Sequence, residues 1–351
     1  MVDWLAPPGY EEWDRFVHGT PFATCFHLSA WNRIAEKAYG LESGILVSRA
    51  GSKGAISGGL PLFHVRRPLH PYVTSGIFGS YGPVLCSSAA EQRALIDAAI
   101  DWTDAKRARF MILKTMDSPE ALALPPIEHD RLTRRDIWVT AMLPLDQGSD
   151  ALWKSLSSSM RAKVRKAEAN GLETRFSRER RDLEVFYDVL SENMRRKGFP
   201  IYGMPFMVEL LREFADRTQI VTLWRGNESV SGALVLEYRG VVYIPFVSSR
   251  PRFFPLRPNN LLYWRIMSHY AERGARALDF GTSLAGASTL DFKTSWGATT
   301  HALPSFIYSA APEKVQFDAN SFGVRLGASI MKSLPPAISA RVGPRLAKFL
   351  A

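Results

Sequence analysis

Residues Ile45 to Phe63 (ILVSRAGSKGAISGGLPLF) and Ile220 to Leu236 (IVTLWRGNESVSGALVL) share one pattern. Each is an apolar strand, a polar turn containing glycine, and a second strand beginning Ile/Val-Ser-Gly. That is a β-hairpin signature. The likeness continues downstream. Tyr72 to Leu85 and Val241 to Ser248 read as further strands, and Leu95 to Lys106 and Leu261 to Arg273 carry apolar residues at helical spacing. Each helix runs into a short strand, Arg109 to Leu113 and Arg276 to Phe280. The same order of elements thus occurs twice, about 170 residues apart, which predicts a duplicated unit. Strands precede the crossover helix in each copy, so the expected class is α/β with mixed rather than wholly parallel sheets. The division expected from the repeat is 1–148, 149–311 and a tail, 312–351.

Asp136 to Leu145 reads as a strand between the copies. Ser149 to Gly171, the most basic stretch, reads as one helix capped by Asp150 and ended by Gly171. Helical patterns follow at Asp182 to Arg196 and Pro205 to Arg217, then an amphipathic pattern after Pro312 and a short basic helix, Ala337 to Leu350.

The 351 residues are 46% hydrophobic and 22% charged, ample for two cores. No apolar run has the length of a membrane helix, and the N-terminus lacks the layout of a secretion signal, so a cytoplasmic location is expected. Cys25 and Cys86 are too few for a disulfide framework and read as small buried hydrophobes, and the seven histidines are scattered, so no metal site is expected. The net charge of +10 favours anionic partners without naming them. Gly-x-x-x-x-Gly-Lys-Ser/Thr and Gly-x-Ser-x-Gly are both missing, which removes support for NTP hydrolysis and serine hydrolase chemistry.

Four features carry candidate chemistry. Arg161, Lys163, Arg165 and Lys166 crowd one helix. Arg161 and Arg165 share a face at i,i+4, and Glu168 offsets only part of their repulsion, as at an anion site or on a solvated face. Asp279-Phe280-Gly281-Thr282-Ser283 places an acid and two hydroxyls at a strand end, either the edge of a site or an ordinary turn. Lys293 lies between the aromatic residues Phe292 and Trp296, where it could either snorkel or face a developing oxyanion. Ser248 to Asn260 holds Arg250, Arg252 and Arg257 ahead of a helix that Asn259 or Asn260 would cap, as in a phosphate site or a Pro-rich surface loop.

These residues resemble a known family. Trp153…Arg161-x-Lys-x-Arg-Lys-Ala-Glu-x-x-Gly171, Asn260-x-x-Tyr263-Trp264, and above all Asp279-Phe-Gly-Thr-Ser283 followed by Phe292-Lys293-x-x-Trp296-Gly297-Ala298 resemble Fem-type proteins. Leu334-Pro335…Gly343-Pro344 resembles the FemAB-related subgroup found with PEP-CTERM, exosortase and exopolysaccharide loci. The resemblance implies tandem GNAT-like domains, with the site in the second. It implies transfer of an acyl or aminoacyl group to an amine or hydroxyl of a cell-envelope or exopolysaccharide precursor. The implied donor is acyl-CoA or aminoacyl-tRNA, with no tightly bound cofactor. On this reading Lys293 steadies the oxyanion, while Asp279 and Ser283 position the acceptor or relay a proton. Arg161, Lys163, Arg165 and Arg250 hold phosphates, and Asn260, Tyr263, Thr282 and Trp296 complete the binding site. The implied acceptor is an anionic small molecule or a lipid- or nucleotide-linked saccharide, not DNA.

Three departures stand out. Thr282 replaces the Arg of the subgroup's Asp-Phe-Gly-Arg-Ser, the pyrophosphate loop Arg/Gln-x-x-Gly-x-Gly/Ala is missing at Val247 to Arg257, and so is the long coiled helical arm of some peptidoglycan enzymes. The first two support an alternative, a non-catalytic module that binds an anionic polysaccharide intermediate or RNA. The tail interleaves Arg325, Lys332, Arg341, Arg345 and Lys348 with apolar residues, as does a helix lying on the inner membrane or one packed on its own domain.

Overall fold

Strands β1 (Val2–Leu5), β2 (Glu42–Arg49), β3 (Ile56–Val65), β4 (Tyr72–Thr74) and β5 (Phe110–Lys114) lie side by side in that order in the computed structural model. The structure describes residues 2–51, 54–117, 124–315, 329, 331–334, 336–347 and 349. The first three pairings are antiparallel and β4–β5 is parallel, so the sheet is mixed. Strand β3 is an almost unbroken buried run, as expected of a strand covered on both faces. Helices α1 (Tyr10–Gly19), α2 (Ala30–Tyr39) and α3 (Ala89–Ala105) accompany this sheet. The Ser88 side chain caps α3 by accepting from the Glu91 N–H, and Leu95, Ile96 and Ile100 pack with Leu60, Leu62 and Met111.

Gly59 marks the closest approach in this unit. A Cβ there would lie 2.4 Å from the Trp13 ring and 2.6 Å from the Leu46 carbonyl oxygen. Trp13 has no room to yield, being fully buried with its indole N–H donating to the His27 carbonyl at 2.6 Å. Gly59→Ala is expected to cost about 1–3 kcal/mol in urea unfolding, through overpacking.

The strand expected over Tyr72 to Leu85 stops at Thr74, with a single bridge at Gly59–Leu85. Phe78 and Gly79 both have positive φ, which no strand accommodates. The chain instead runs alongside β5, with Ser75 N–H donating to the Ile112 carbonyl (3.0 Å) and Gly82 N–H to the Lys114 carbonyl (3.1 Å). Fully buried His27 pins that segment. Its Nδ1 accepts from the Thr24 N–H at 3.0 Å, so Nε2 carries the proton given to the Pro83 carbonyl at 2.8 Å. Burial lowers its pKa and keeps the ring neutral.

The second unit repeats this order. Its elements are the end of β6 (Thr133–Pro144), α4 (Ser149–Ser155), α5 (Ser158–Ala169), β7 (Glu173–Ser177), α6 (Arg180–Lys197), α7 (Met204–Glu213), β8 (Thr218–Arg225), β9 (Glu228–Tyr238), β10 (Val241–Ser249), α8 (Pro258–Ala271), β11 (Ala277–Leu284) and α9 (Ser288–Thr294). The strands run β7-β8-β9-β10-β11-β6, with three antiparallel pairs followed by the parallel pair β10–β11. Leu223, Val235, Val242, Leu261, Ile266 and Leu278 belong to its core.

Among the described residues, the first compact unit comprises those up to Val139 and from His301 to 315, with Phe349, and the second those of Thr140–Thr300 and Ala319–Ala347. This division differs from cuts at 148 and 311. Strand β12 (Thr299–Ser309) pairs antiparallel with β5 through Ser305–Ser309, so sequence order alone would separate a strand from its partner. Helix α10 (Pro336–Ala347) abuts the 201–203 stretch of the second unit, where Gly343 and Gly203 let the backbones approach. Arg325, Lys348 and most of the pattern after Pro312 lie outside the described residues. No described helix is long and apolar enough to cross a membrane.

The single helix expected over Ser149 to Gly171 is two helices. Ser157 is extended (ψ 151°) and its hydroxyl accepts from the Met160 N–H at 3.1 Å, capping α5. Asp150 sits in the first turn of α4 behind an N-cap at Gly148, rather than at the cap itself.

Candidate functional site

Parallel strands β10 and β11 share three paired positions, Val241–Tyr243 against Ala277–Asp279, and both strands run on beyond them. Pro245 has no N–H with which to extend the ladder. Pro245, Phe246 and Val247 are half-buried in the middle of a sheet, as are Gly281 and Thr282 on the neighbouring strand. The motif Asp279 to Ser283 begins at this parting.

Asp279 is 1% exposed. Its Oδ1 accepts from the Thr140 hydroxyl at 2.5 Å and from the Gly281 N–H at 2.7 Å. Gly281 has φ +75°, a conformation that a side chain would strain. The kink turns two successive carbonyls toward Lys293, whose Nζ donates to Gly281 O (2.5 Å) and Thr282 O (3.2 Å). An ammonium has three N–H donors, so one remains after these two bonds. Lys293 is only 8% exposed, and burial lowers its pKa to about 8, with Asp279 acting in the opposite direction. The ammonium therefore predominates at neutral pH and is lost slightly above it.

Aromatic residues surround helix α9. Tyr263 stacks on Phe280 at 5.3 Å and meets Phe292 edge-on at 5.3 Å, while Phe292 stands 6.2 Å from Trp296. Burial pushes the Tyr263 hydroxyl pKa well up. The Trp296 indole N–H is buried without a hydrogen-bond partner among the described residues. Ser283 is 5% exposed, and its hydroxyl lies 3.4 Å from that of Thr289. Asp279, Thr282, Ser283 and Lys293 thus come together, with Tyr263 and Trp296 beside the lysine-bearing helix.

The basic candidates fare differently. Arg161 donates to the carbonyls of Lys154 (3.0 Å) and Leu156 (2.5 Å), closing the end of α4. Arg250 is held by Glu192, by Asp188 at 2.5 Å and by the Ser229 carbonyl at 2.9 Å. Both guanidiniums thus carry structural contacts of their own. Arg250→Ala should therefore lower stability by about 1–3 kcal/mol in denaturant titration while sparing donor binding. Asn260 donates to the Met160 sulfur at 3.2 Å and Asn259 accompanies Ser249, so neither caps α8. The N-cap is Arg257, at φ +60°, followed by Pro258. Arg165 lies over the Trp153 ring at 5.6 Å and Lys163 is half-buried, and neither pairs with a carboxylate among the described residues. Sequence reading missed Thr140, because nothing in its surroundings marks a residue that bonds 139 positions away.

The model of the acetyltransferase (GNAT) domain matches residues 154–294, within which Asp279, Ser283 and Lys293 fall. No curated protein matches the sequence. Among solved structures, FemX superposes with a TM-score of 0.66 at 16% identity, over 88% of this chain and 97% of its own. The C-terminal domain of a putative lysylphosphatidylglycerol synthetase from Agrobacterium fabrum gives 0.56 at 10% identity, over 93% and 95%. A tandem GNAT protein from the clavulanic acid biosynthesis pathway gives 0.56 at 12%, over 87% and 97%. At such identities these likenesses concern the fold. Residues 154–294 thus match the acetyltransferase (GNAT) domain model, and the chain has the fold of FemX and of a tandem GNAT protein.

Proposed function

We propose that the chain is an acyl- or aminoacyltransferase acting on a cell-envelope or exopolysaccharide precursor. The acceptor's amine or hydroxyl attacks the carbonyl of an activated acyl group. The new C–N or C–O bond forms, the acceptor loses its proton, and the carrier leaves as a thiol or hydroxyl. Such a reaction depends on orientation and charge stabilisation and requires no protein nucleophile. The observation that carries this reading is the buried Lys293 ammonium, held by two carbonyls with one donor to spare. That donor is suited to the oxyanion of the tetrahedral intermediate. Asp279 keeps the ammonium charged, and Thr282 and Ser283 line the acceptor side. Lys163 and Arg165 are the remaining candidates for donor phosphates.

The donor is acyl-CoA, as for GNAT domains in general, or aminoacyl-tRNA, a choice supported by the fold shared with FemX and with a putative lysylphosphatidylglycerol synthetase. Calorimetric titration with acetyl-CoA at physiological salt, beside a transfer assay with charged tRNA, tests both. Binding that survives added salt and gives product with either donor supports the reading. Saturable binding with no product from any activated acyl donor would overturn it in favour of a binding module.

A further inference from the structure

The second unit holds another cavity, of about 380 Å³, at the opposite ends of β10 and α8 from the Lys293 site. Arg178, Arg217 and Arg273 line it together with Asp216 and Glu237. Among the described residues none of the three guanidiniums pairs with a carboxylate. Arg178 donates to the Asp216 backbone carbonyl at 3.1 Å, Arg217 lies over the Tyr238 ring at 5.4 Å, and Arg273 donates to the His269 carbonyl at 3.0 Å. Charge here is therefore held by neutral partners that leave guanidinium donors over. The fields of Glu237, Arg178 and Arg273 all reach the Tyr270 hydroxyl, so these groups face one space.

We propose that this cavity binds a phosphorylated sugar, phosphate against the three arginines and hydroxyls against Glu237 and Asp216. Guanidinium forks match phosphate oxygens. Two carboxylates in the same lining would repel a bare anion but accept hydrogen bonds from sugar hydroxyls. The volume lies within the range of small-molecule sites and exceeds what a phosphate alone would fill. This site is independent of the Lys293 reading and shares no residue with it.

Calorimetric titration of the full chain with ribose 5-phosphate and, separately, inorganic phosphate tests the proposal. Ribose 5-phosphate should bind saturably at one site, more tightly than phosphate. Arg178→Ala with Arg273→Ala, both at exposed positions, should weaken it at least about tenfold. Arg180→Ala with Arg181→Ala, an equal change of charge on residues outside the cavity, should not. Glu237→Gln should weaken ribose 5-phosphate and leave phosphate unchanged. No saturation in the millimolar range, or equal weakening by both arginine pairs, would overturn the site. Phosphate binding as tightly as the sugar phosphate would overturn the ligand class.

Discussion

Lys293→Ala is expected to lower kcat/KM for acyl transfer by about 10²–10³-fold, the usual consequence of removing one oxyanion donor. The same loss should appear in kcat, because the spare N–H engages only the intermediate. In the wild type, kcat/KM should fall as pH rises through about 8, where the buried ammonium deprotonates. A Lys293→Ala protein that retains full activity would sink the oxyanion assignment.

Stability separates this role from a structural one. The folded pKa of Lys293 is about 8 against 10.5 for an ordinary lysine. Below pH 8 both the folded and unfolded chains carry the proton, and the cost of burying it is fully present. Between about 8 and 10.5 the folded chain has released the proton and the unfolded chain has not, so stability rises with pH by about 3 kcal/mol per such lysine. Lys114 is also lowered to about 8 by burial and contributes over the same window. Replacing Lys293 with Met should therefore shrink the alkaline rise and leave the protein no less stable at pH 7. A fold that tolerates so costly a charge and is stabilised by losing it retains that charge for another reason.

The hairpins and crossover helices could be read from sequence because their signals are local. Alternation, a glycine turn and helical spacing all lie within about 20 residues of one another. Asp279 and Lys293 also stand in two neighbouring motifs, and the end of β11 and helix α9 bring them together. Partners of the basic residues could not be read in the same way. Arg250 meets Asp188 and Glu192 from 62 and 58 positions away, and the acids could as well have faced water. Arg161 is absorbed by a helix end that exists only because Ser157 breaks the preceding helix. The strand lost after Thr74 has a similar cause. Its apolar residues suit a strand, but positive φ at Phe78 and Gly79 turns them into a segment tied down by His27. Residue type limits what a group can bond to, and the tertiary fold selects among those partners.

Asp279→Asn is expected to move the alkaline limb of the activity profile toward lower pH. The hydrogen bonds that this carboxylate accepts from Thr140 and from Gly281 both end on Oδ1. An asparagine carbonyl in the same place can accept both, so the substitution removes charge while keeping these two bonds. The lost charge acts to hold the Lys293 pKa up against burial. Without it the ammonium is lost at lower pH, so kcat/KM should drop much more at pH 8 than at pH 6. Thr140→Val, which deletes the hydrogen bond to Asp279 and no charge, should leave the limb near its wild-type position while lowering stability by about 1 kcal/mol or more. If Asp279 instead accepted the acceptor's proton, the Asn variant would lose activity equally at every pH and the limb would not move. A shifted limb with activity recovered at low pH assigns the carboxylate to keeping Lys293 charged, and a uniform loss assigns it to proton transfer.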